Sequence, residues 1–273
     1  MSSDEIAHQP SGILLPVIVI ALFYATIITT ALIKESSPNE KLDTIYHPIK
    51  KERYVIGRYR FNRHPDFIDL TTLGIETGNP EQYLRRDAAH ALKSLITEFH
   101  NSYPDTRVWV ESATRSYWQQ KNIWEAKWQG KQKVEGINLA QTVNKEIVKA
   151  KMVLRYSAMP GVSRHHWGTD VDFNELRNDY FDSGPGKILF QWLQQNALRF
   201  DFCQPYTVQR NKGHLEERWH WSYRPMARIF LKDWNSIFFT SRTKQLAMLR
   251  FDGSHSALNM AQVYANNINQ QCK

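Results

Sequence analysis

The chain has 273 residues, 42% hydrophobic and 23% charged, which is typical of one large folded domain or two small ones. Its net charge of +8 is spread along the sequence, and no zinc-finger pattern or other nucleic-acid signature accompanies it, so we expect no nucleic-acid partner. The only cysteines, Cys203 and Cys272, exclude a disulfide framework and leave one optional bridge in an oxidising compartment.

An uncharged run from 11 to 33 is the first distinct segment. It is long enough to cross a hydrocarbon core of ~30 Å as a helix, so we predict a membrane anchor between a short tail (1–10) and a polar linker (34–54). A cleaved signal peptide fits less well, because Asp4 and Glu5 precede the run without any Lys or Arg and the run is long for such a peptide. A buried core helix is the third reading.

The rest of the chain shows apolar patterns of both helices and strands. Three- and four-residue spacing predicts helices, and an alternating stretch predicts a short strand. In chain order these are a helix over 83–99, a strand over 107–111, helices over 116–128 and 136–151, and a helix over 187–198. We therefore expect one α+β domain over 55–250, followed by a C-terminal tail, 251–273.

A cluster of chemically active side chains lies between Ser163 and Asp172. In an extended segment alternate side chains face the same way, so Asp170 and Asp172 can point at one site. His165 precedes them across a turn marked by Gly168. This predicts an imidazole and a carboxylate delivered by a loop and the following strand. Local packing of the histidine is the alternative.

A second cluster, Glu217-Arg218-Trp219-His220, lies about fifty residues later. With His165 and Asp172, His220 completes the three protein ligands of a catalytic zinc site. A remaining carboxylate can then accept a proton from the attacking water. Glu217 suits this role, although Glu216 fits on spacing alone. In a regular strand Glu217 and His220 would face opposite sides, so a turn or bulge is required. Trp219 would form an apolar wall beside them.

Arg115 follows the predicted strand and precedes a predicted helix. A guanidinium there can bind a carboxylate or stabilise a developing oxyanion. Without the zinc ligands, a surface arginine would be the better reading.

Together these segments resemble the D-alanyl-D-alanine carboxypeptidase family, the VanY-like zinc peptidases of peptidase family M15. The resemblance rests on Ser-x-His-x-x-Gly-x-x-x-Asp over 163–172, Glu-x-Trp-His over 217–220 and Arg-Ser-Tyr-x-x-Gln over 115–120. It covers most of residues 80–225. The order of the three motifs is specific, whereas each motif alone is weak.

The resemblance implies a small, mostly antiparallel sheet that carries a zinc site and is flanked by helices, as in the hedgehog signalling domain. It implies that the zinc ligands are His165, Asp172 and His220, that Glu217 is the base, and that substrate contacts come from Arg115, Ser163, Gln120 and Tyr117. Family members commonly have Ala where this chain has Asp170, and an aromatic residue is frequent in place of Thr114. We expect Asp170 to support a metal ligand or to alter substrate contacts.

The implied function is hydrolysis of the terminal D-Ala-D-Ala bond of peptidoglycan stem peptides. Two alternatives stay open: an endopeptidase that cuts crosslinks, and a non-catalytic zinc-stabilised module that binds cell wall or protein. A substrate in the cell wall requires a domain that faces the periplasm or cell exterior from the bacterial inner membrane. The positive-inside rule favours the opposite orientation, because the Lys and Arg residues near the run lie on its C-terminal side: Lys34, Lys41, Lys50, Lys51 and Arg53.

Overall fold

A four-stranded antiparallel sheet carries the residues singled out above. The computed structural model describes residues 44–240 and 247–273. The sheet has the order β3-β4-β6-β5, and a separate antiparallel pair is formed by β1 and β2. The strands are β1 (Phe67–Asp69), β2 (Tyr83–Arg85), β3 (Val110–Ser112), β4 (Asp170–Phe173), β5 (Phe202–Cys203) and β6 (His220–Tyr223). Together with the surrounding helices this is the α+β architecture that the sequence predicts.

Nine α-helices surround the sheets in the described part of the chain. They are α1 (Lys51–Val55), α2 (Arg86–Ser102), α3 (Tyr117–Trp128), α4 (Leu139–Thr142), α5 (Glu146–Val153), α6 (Gly184–Asn196), α7 (Arg224–Thr240), α8 (Ser254–Ala257) and α9 (Ala261–Asn266). Short 3-10 helices occur at Phe61–Arg63, Leu70–Leu73, Arg164–Trp167, Asn178–Asp182, Ala197–Phe200, Leu258–Met260 and Gln270–Cys272. None of the described helices is long and apolar enough to span a membrane, and the predicted anchor, 11–33, lies outside the described residues.

The two faces of the four-stranded sheet have different chemistry. Val171 and Phe173 of β4 point into an apolar core. That core includes Leu92 and Phe99 of α2 and Leu189 of α6. Because side chains alternate along a strand, the neighbouring Asp170 and Asp172 occupy the opposite face. One face of the sheet therefore contributes to stability, and the other is available for chemistry.

Two predicted helices have different limits in the structure. The helix predicted over 83–99 begins at Arg86, because Tyr83–Arg85 pairs with β1 instead. The stretch predicted as one helix over 136–151 is divided into α4 and α5, and the chain is extended at Val143 and Lys145. The run Thr142-Val143-Asn144, at the end of α4, has low helix propensity, which accounts for the break.

The other local predictions agree better with the structure. Helix α3 begins after Ser116, whose side chain forms a capping box with Gln119. Helix α6 begins three residues before the predicted position, with Pro185 in its first turn, where a missing N–H costs nothing. The predicted strand over 107–111 is observed two residues shorter and shifted, as Val110–Ser112.

The packed region extends beyond the predicted limits of 55–250 at both ends. Tyr46 and Tyr54, which lie in the predicted linker, are buried in a second apolar core, together with Trp234 of α7. At the other end Cys272 is buried and forms a disulfide with Cys203 of β5, across a sequence separation of 69. The segment predicted as a tail is therefore covalently tied to the central sheet.

We expect the disulfide to contribute to stability by limiting the freedom of the unfolded chain. A loop of this length corresponds to about 4 kcal/mol in the chain-entropy treatment. The double variant Cys203→Ser/Cys272→Ser should unfold at a lower denaturant concentration than the parent. Chemical denaturation with and without reductant measures the effect. An unchanged midpoint in the double variant would show that the bridge adds no stability.

Candidate metal centre and active site

The pairing of β4 with β6 brings the first two candidate ligands together. Asp172 lies directly opposite His220 in the antiparallel register, and Asp170 lies opposite Ser222. Residues opposite each other on neighbouring strands have side chains on the same face of the sheet. The Asp172 carboxylate and the His220 imidazole are consequently adjacent, and both are buried.

His165 reaches the same point from the loop that precedes β4. It lies in the 3-10 helix Arg164–Trp167, which ends at Gly168 with φ of 75°. A β-carbon at Gly168 would approach the Phe67 ring to 2.4 Å, so this turn requires glycine. The Nδ1 of His165 lies 2.6 Å from the carbonyl oxygen of Ala113. With Nδ1–H donating to that oxygen, Nε2 is left as a lone-pair donor aimed at Asp172 and His220.

Ligand atoms of three residues converge here with separations typical of a metal site. His165 Nε2 lies 3.3 Å from Asp172 Oδ2 and 3.3 Å from His220 Nδ1. His220 Nδ1 lies 3.0 Å from Asp172 Oδ1. Tetrahedral zinc with metal–ligand distances near 2.0–2.1 Å places its ligands about 3.3 Å apart. Among the described residues this set, His165, Asp172 and His220, forms the one group that could hold a metal ion.

The protonation of these groups also favours a bound cation. His220 Nε2 lies 2.9 Å from Asp170 Oδ2 and donates to that carboxylate, so Nδ1 is the ring nitrogen that faces the other ligand atoms and becomes a lone-pair donor once its own proton leaves. Asp172 Oδ1 is buried and faces His220 Nδ1 at 3.0 Å. Burial opposes charge on the imidazole, but hydrogen bonds to Asp170 and Asp172 outweigh burial and raise the pKa of His220 to about 9. A proton or a metal ion must compensate this cluster, and the ligand set fits zinc.

Asp170 orients His220 and is itself held by three further groups. Its carboxylate accepts hydrogen bonds from Arg164 Nε (2.8 Å), Thr169 Oγ1 (2.6 Å) and Ser222 Oγ (2.8 Å). Arg164 also donates to Ser222 at 2.6 Å. Burial opposes the charge on Asp170, but Arg164 and His220 outweigh burial and hold the pKa of this carboxyl well below its usual range. A carboxylate that orients a ligating imidazole increases its basicity as a ligand.

Glu217 faces the same site because the chain turns just before β6. The amide of His220 donates to the carbonyl oxygen of Glu217 at 3.3 Å, which closes the turn that the sequence requires. Glu217 Oε2 then lies 3.5 Å from His220 Nδ1. Burial is the main cause that raises the pKa of Glu217 to about 8. Glu216 instead points away and pairs with Arg218 at 3.2 Å, so geometry distinguishes the two candidates.

Arg115 lies three residues after β3 and contacts the Asp172 carboxylate. Its Nη2 is 3.4 Å from Asp172 Oδ2, and its Nε is buried without a hydrogen-bond partner. Burial lowers the pKa of Arg115, while the carboxylates of Asp172 and Glu217 act in the opposite direction. The guanidinium thus has donor capacity left for an anionic group in the site.

A narrow cavity opens at these residues. Its lining includes Arg115, Ser163, His165, Glu217 and His220. The remaining lining residues were not identified from the sequence: Tyr156, Ser157, Ala158, Arg164, Tyr206 and His214. Arg164 occupies a variable position of the 163–172 motif. The other five come from segments without a motif, and only the tertiary fold brings them to the cavity.

Five residues predicted for the site do not line this cavity. Asp170 and Asp172 belong to the ligand cluster described above, and the other three are held by other contacts. Tyr117 is buried, and its hydroxyl donates to the carbonyl oxygen of Arg250 at 3.0 Å, so its predicted contact with substrate is not supported. Gln120 donates to the carbonyl oxygen of Ala158 at 2.7 Å and so supports the cavity wall from behind. Trp219 packs in the core with its ring centroid 6.1 Å from that of Tyr156.

Residues 81–226, over half of the chain, match the family model described as VanY, D-alanyl-D-alanine carboxypeptidase. The chain belongs to this family. The VanY-family match begins just before α2 and ends at the start of α7, so it contains every ligand and cavity residue described above.

Two relatives and a solved structure illustrate the similarity. An uncharacterised protein of Haemophilus influenzae is 35% identical over 24% of this chain and 61% of its own length. A D-alanyl-D-alanine carboxypeptidase of Enterococcus faecalis is 35% identical over 24% of each chain. The chain thus spans less than two thirds of the length of either relative. The solved structure is a crystal structure of a mutant of the vancomycin-resistance D,D-pentapeptidase VanY in complex with Zn(II). The two chains are 24% identical, and the TM-score is 0.41 over 60% of this chain and 82% of that one.

We expect zinc affinity in this VanY-family site to depend on pH through His220. Because the metal-free imidazole has a raised pKa of about 9, it is protonated below that pH and zinc must displace the proton. Affinity should therefore rise about tenfold per pH unit between pH 6 and 8 and level off above pH 9. Calorimetry in two buffers of different ionisation enthalpy should show release of about one proton at pH 7. Zinc binding without proton release would contradict this protonation state.

We further expect Asp170→Asn to weaken zinc binding by about 10- to 100-fold, because His220 loses its charged partner. Competition with a chromogenic chelator measures the affinity. Asp179→Asn, which changes an exposed carboxylate, is the matched control and should leave affinity unchanged. Thermal unfolding of both variants separates a weaker metal site from a loss of folding. Parent-like affinity in folded Asp170→Asn would show that Asp170 does not tune the metal.

Proposed function

We propose that this VanY-family protein is a zinc-dependent D,D-carboxypeptidase that hydrolyses the terminal D-Ala-D-Ala bond of peptidoglycan stem peptides. The observation that carries the proposal is the convergence of His165, Asp172 and His220 as one ligand set, with Glu217 beside them in the cavity that His165 and His220 line. A site that only stabilised the fold would not require an additional buried carboxyl group beside its ligands.

His165, Asp172 and His220 are the residues that would hold zinc. Zinc in such a site supplies a Lewis acid for the scissile carbonyl and lowers the pKa of a nearby water. The chain orients its own ligands through the carbonyl oxygen of Ala113 and the carboxylate of Asp170, so the imidazoles are held in place before any ion arrives.

Glu217 is the proposed general base and acid. Its carboxyl group is buried in the cavity beside His220, and burial raises its pKa to about 8, which is close to neutral pH. A group with such a pKa can accept a proton from water and deliver it to the leaving amine. The low exposure of Glu217 keeps bulk solvent away from the transferred proton.

Arg115 and Ser163 are the proposed substrate contacts. The guanidinium of Arg115 has unsatisfied donor capacity at the cavity, which suits the terminal carboxylate of a peptide or the oxyanion of a tetrahedral intermediate. The Ser163 hydroxyl lines the same cavity. The cavity is narrow, which favours a terminal residue as small as alanine over the continuing chain of a crosslink.

We also propose that residues 11–33 anchor the protein in the bacterial inner membrane with the folded domain facing the periplasm or cell exterior. Support comes from the uncharged length of that segment and from the Cys203–Cys272 disulfide, since such bonds persist in oxidising compartments. The cell-wall substrate proposed here is available only on that side.

Mass spectrometry of the zinc-loaded protein with a stem pentapeptide ending in D-Ala-D-Ala tests the proposal. We expect loss of one alanine. Cleavage of crosslinked muropeptide dimers in place of the pentapeptide would indicate an endopeptidase. Absence of product from both substrates, with zinc bound, would favour a binding module.

Replacement of Glu217 by Gln should lower turnover by roughly 10²- to 10⁴-fold while zinc stays bound, because the side chain keeps its shape and loses its proton affinity. Glu216→Gln is the matched control: it removes the neighbouring carboxylate outside the cavity and should keep parent activity. Metal content by elemental analysis accompanies both assays. Full activity in Glu217→Gln would refute the proposed mechanism.

A further inference from the structure

A basic groove lies apart from the catalytic cavity. It measures about 640 Å³ and is lined by residues of the N-terminal segment and of the first turn of α3. A second cavity of about 520 Å³ continues it, with Arg53, Arg58 and Tyr59 among the shared lining residues. Neither cavity shares a lining residue with the catalytic one. A ligand in this groove is therefore not in contact with the proposed zinc ligands.

The groove is strongly positive. Among the described residues Glu81 is the one carboxylate that lines it, whereas five cationic side chains do so: Lys50, Arg53, Arg58, Arg60 and Arg63. Within the described ranges, no acidic side chain lies at ion-pair distance from any of the four arginines. Their charges are thus not paired with acidic side chains of the described residues, and the groove is complementary to a ligand with several negative charges.

The guanidinium of Arg58 is fixed in a position that suits such a ligand. Its guanidinium stacks 4.7 Å from the Tyr117 ring and 5.1 Å from the Trp118 ring, and its Nε is buried without a hydrogen-bond partner. A guanidinium fixed by stacking loses little entropy when it forms a forked pair with a phosphate. Trp118 itself is half exposed at the groove, and tryptophan is enriched at the level of lipid headgroups.

The position of the groove in the chain favours a lipid. Its first cation, Lys50, follows the uncharged run that ends at Ile33 by fewer than twenty residues. Clusters of Lys and Arg next to a membrane helix bind anionic lipid headgroups. Such a role also accounts for the Lys and Arg residues that follow the uncharged run. By the positive-inside rule alone, those residues would favour the opposite membrane orientation.

We propose that this groove binds the phosphate groups of anionic phospholipids and docks the folded domain on the membrane surface. The proposal uses the membrane anchor for proximity and does not depend on peptidase activity. Docking would fix the distance and direction of the catalytic cavity relative to the bilayer.

Native mass spectrometry of the full chain in neutral detergent tests this proposal. At equal concentrations we expect the protein to bind phosphatidylglycerol in preference to phosphatidylcholine. The triple variant Arg53→Gln/Arg60→Gln/Arg63→Gln changes only exposed side chains and should lower phosphatidylglycerol binding by roughly tenfold or more. Arg58→Lys keeps the charge, loses the planar fork and should also weaken binding.

A matched control removes three positive charges elsewhere. Lys131, Lys133 and Lys151 are exposed and lie outside the groove, and their replacement by Gln should leave phosphatidylglycerol binding unchanged. Equal losses in the two triple variants would show nonspecific attraction and overturn the proposal. Equal binding of both lipids by the parent would also overturn it.

Two competitors identify the source of the anion. Glycerol phosphate that saturates the groove as tightly as the lipid would point to a free phosphate ligand. A soluble carboxylate-rich muropeptide that displaces phosphatidylglycerol would assign the groove to substrate. Either result would overturn a lipid site. Hydrolysis of the stem pentapeptide by the arginine triple variant shows that this variant is folded. Absence of peptidase activity in the parent, with lipid binding intact, would contradict only the proposed function.

Discussion

The antiparallel register between β4 and β6 is the constraint on which the site depends. It places Asp172 opposite His220 and Asp170 opposite Ser222, so two carboxylates and an imidazole share one face of the sheet. Those groups are buried, and buried charges are costly unless they are paired. Arg164 offsets this cost at Asp170, whereas Asp172 faces the imidazoles of His165 and His220. Stability and metal binding therefore draw on the same few residues.

The loop that carries His165 is supported by the N-terminal segment. The hydroxyls of Tyr54 and Tyr59 donate to the carbonyl oxygens of Trp167 and His166, at 2.9 and 2.7 Å. The Trp167 indole donates to the carbonyl oxygen of Val55 at 3.0 Å. This segment thus connects the basic groove to the back of the metal loop. Tyr59, which lines the groove, therefore also contacts the loop that carries His165.

Short-range pattern was enough to predict much of the site. The period of two in a strand put Asp170 and Asp172 on one side, and the spacing of Glu217 and His220 showed that a turn was needed between them. The contacts that tune the site were harder to predict. Tyr206 and His214 enter the cavity from loops whose path depends on the C-terminal segment: Asn269 donates to the carbonyl oxygens of Pro205 and Gln204. Tyr117 fitted a motif, yet the core and the carbonyl oxygen of Arg250 determine its position.

The alternation of side chains along β4 also limits where the length of this chain can change. An insertion or deletion of one residue between His165 and Asp172 would have one of two effects. It would change the length of the tight turn at Gly168, or it would move Asp172 to the face that now holds Val171 and Phe173. The carboxylate would then lie in the apolar core, and a hydrophobic side chain would face His220. Length variation among descendants of this chain should consequently accumulate in exposed loops that carry no ligand, such as the one around Val208.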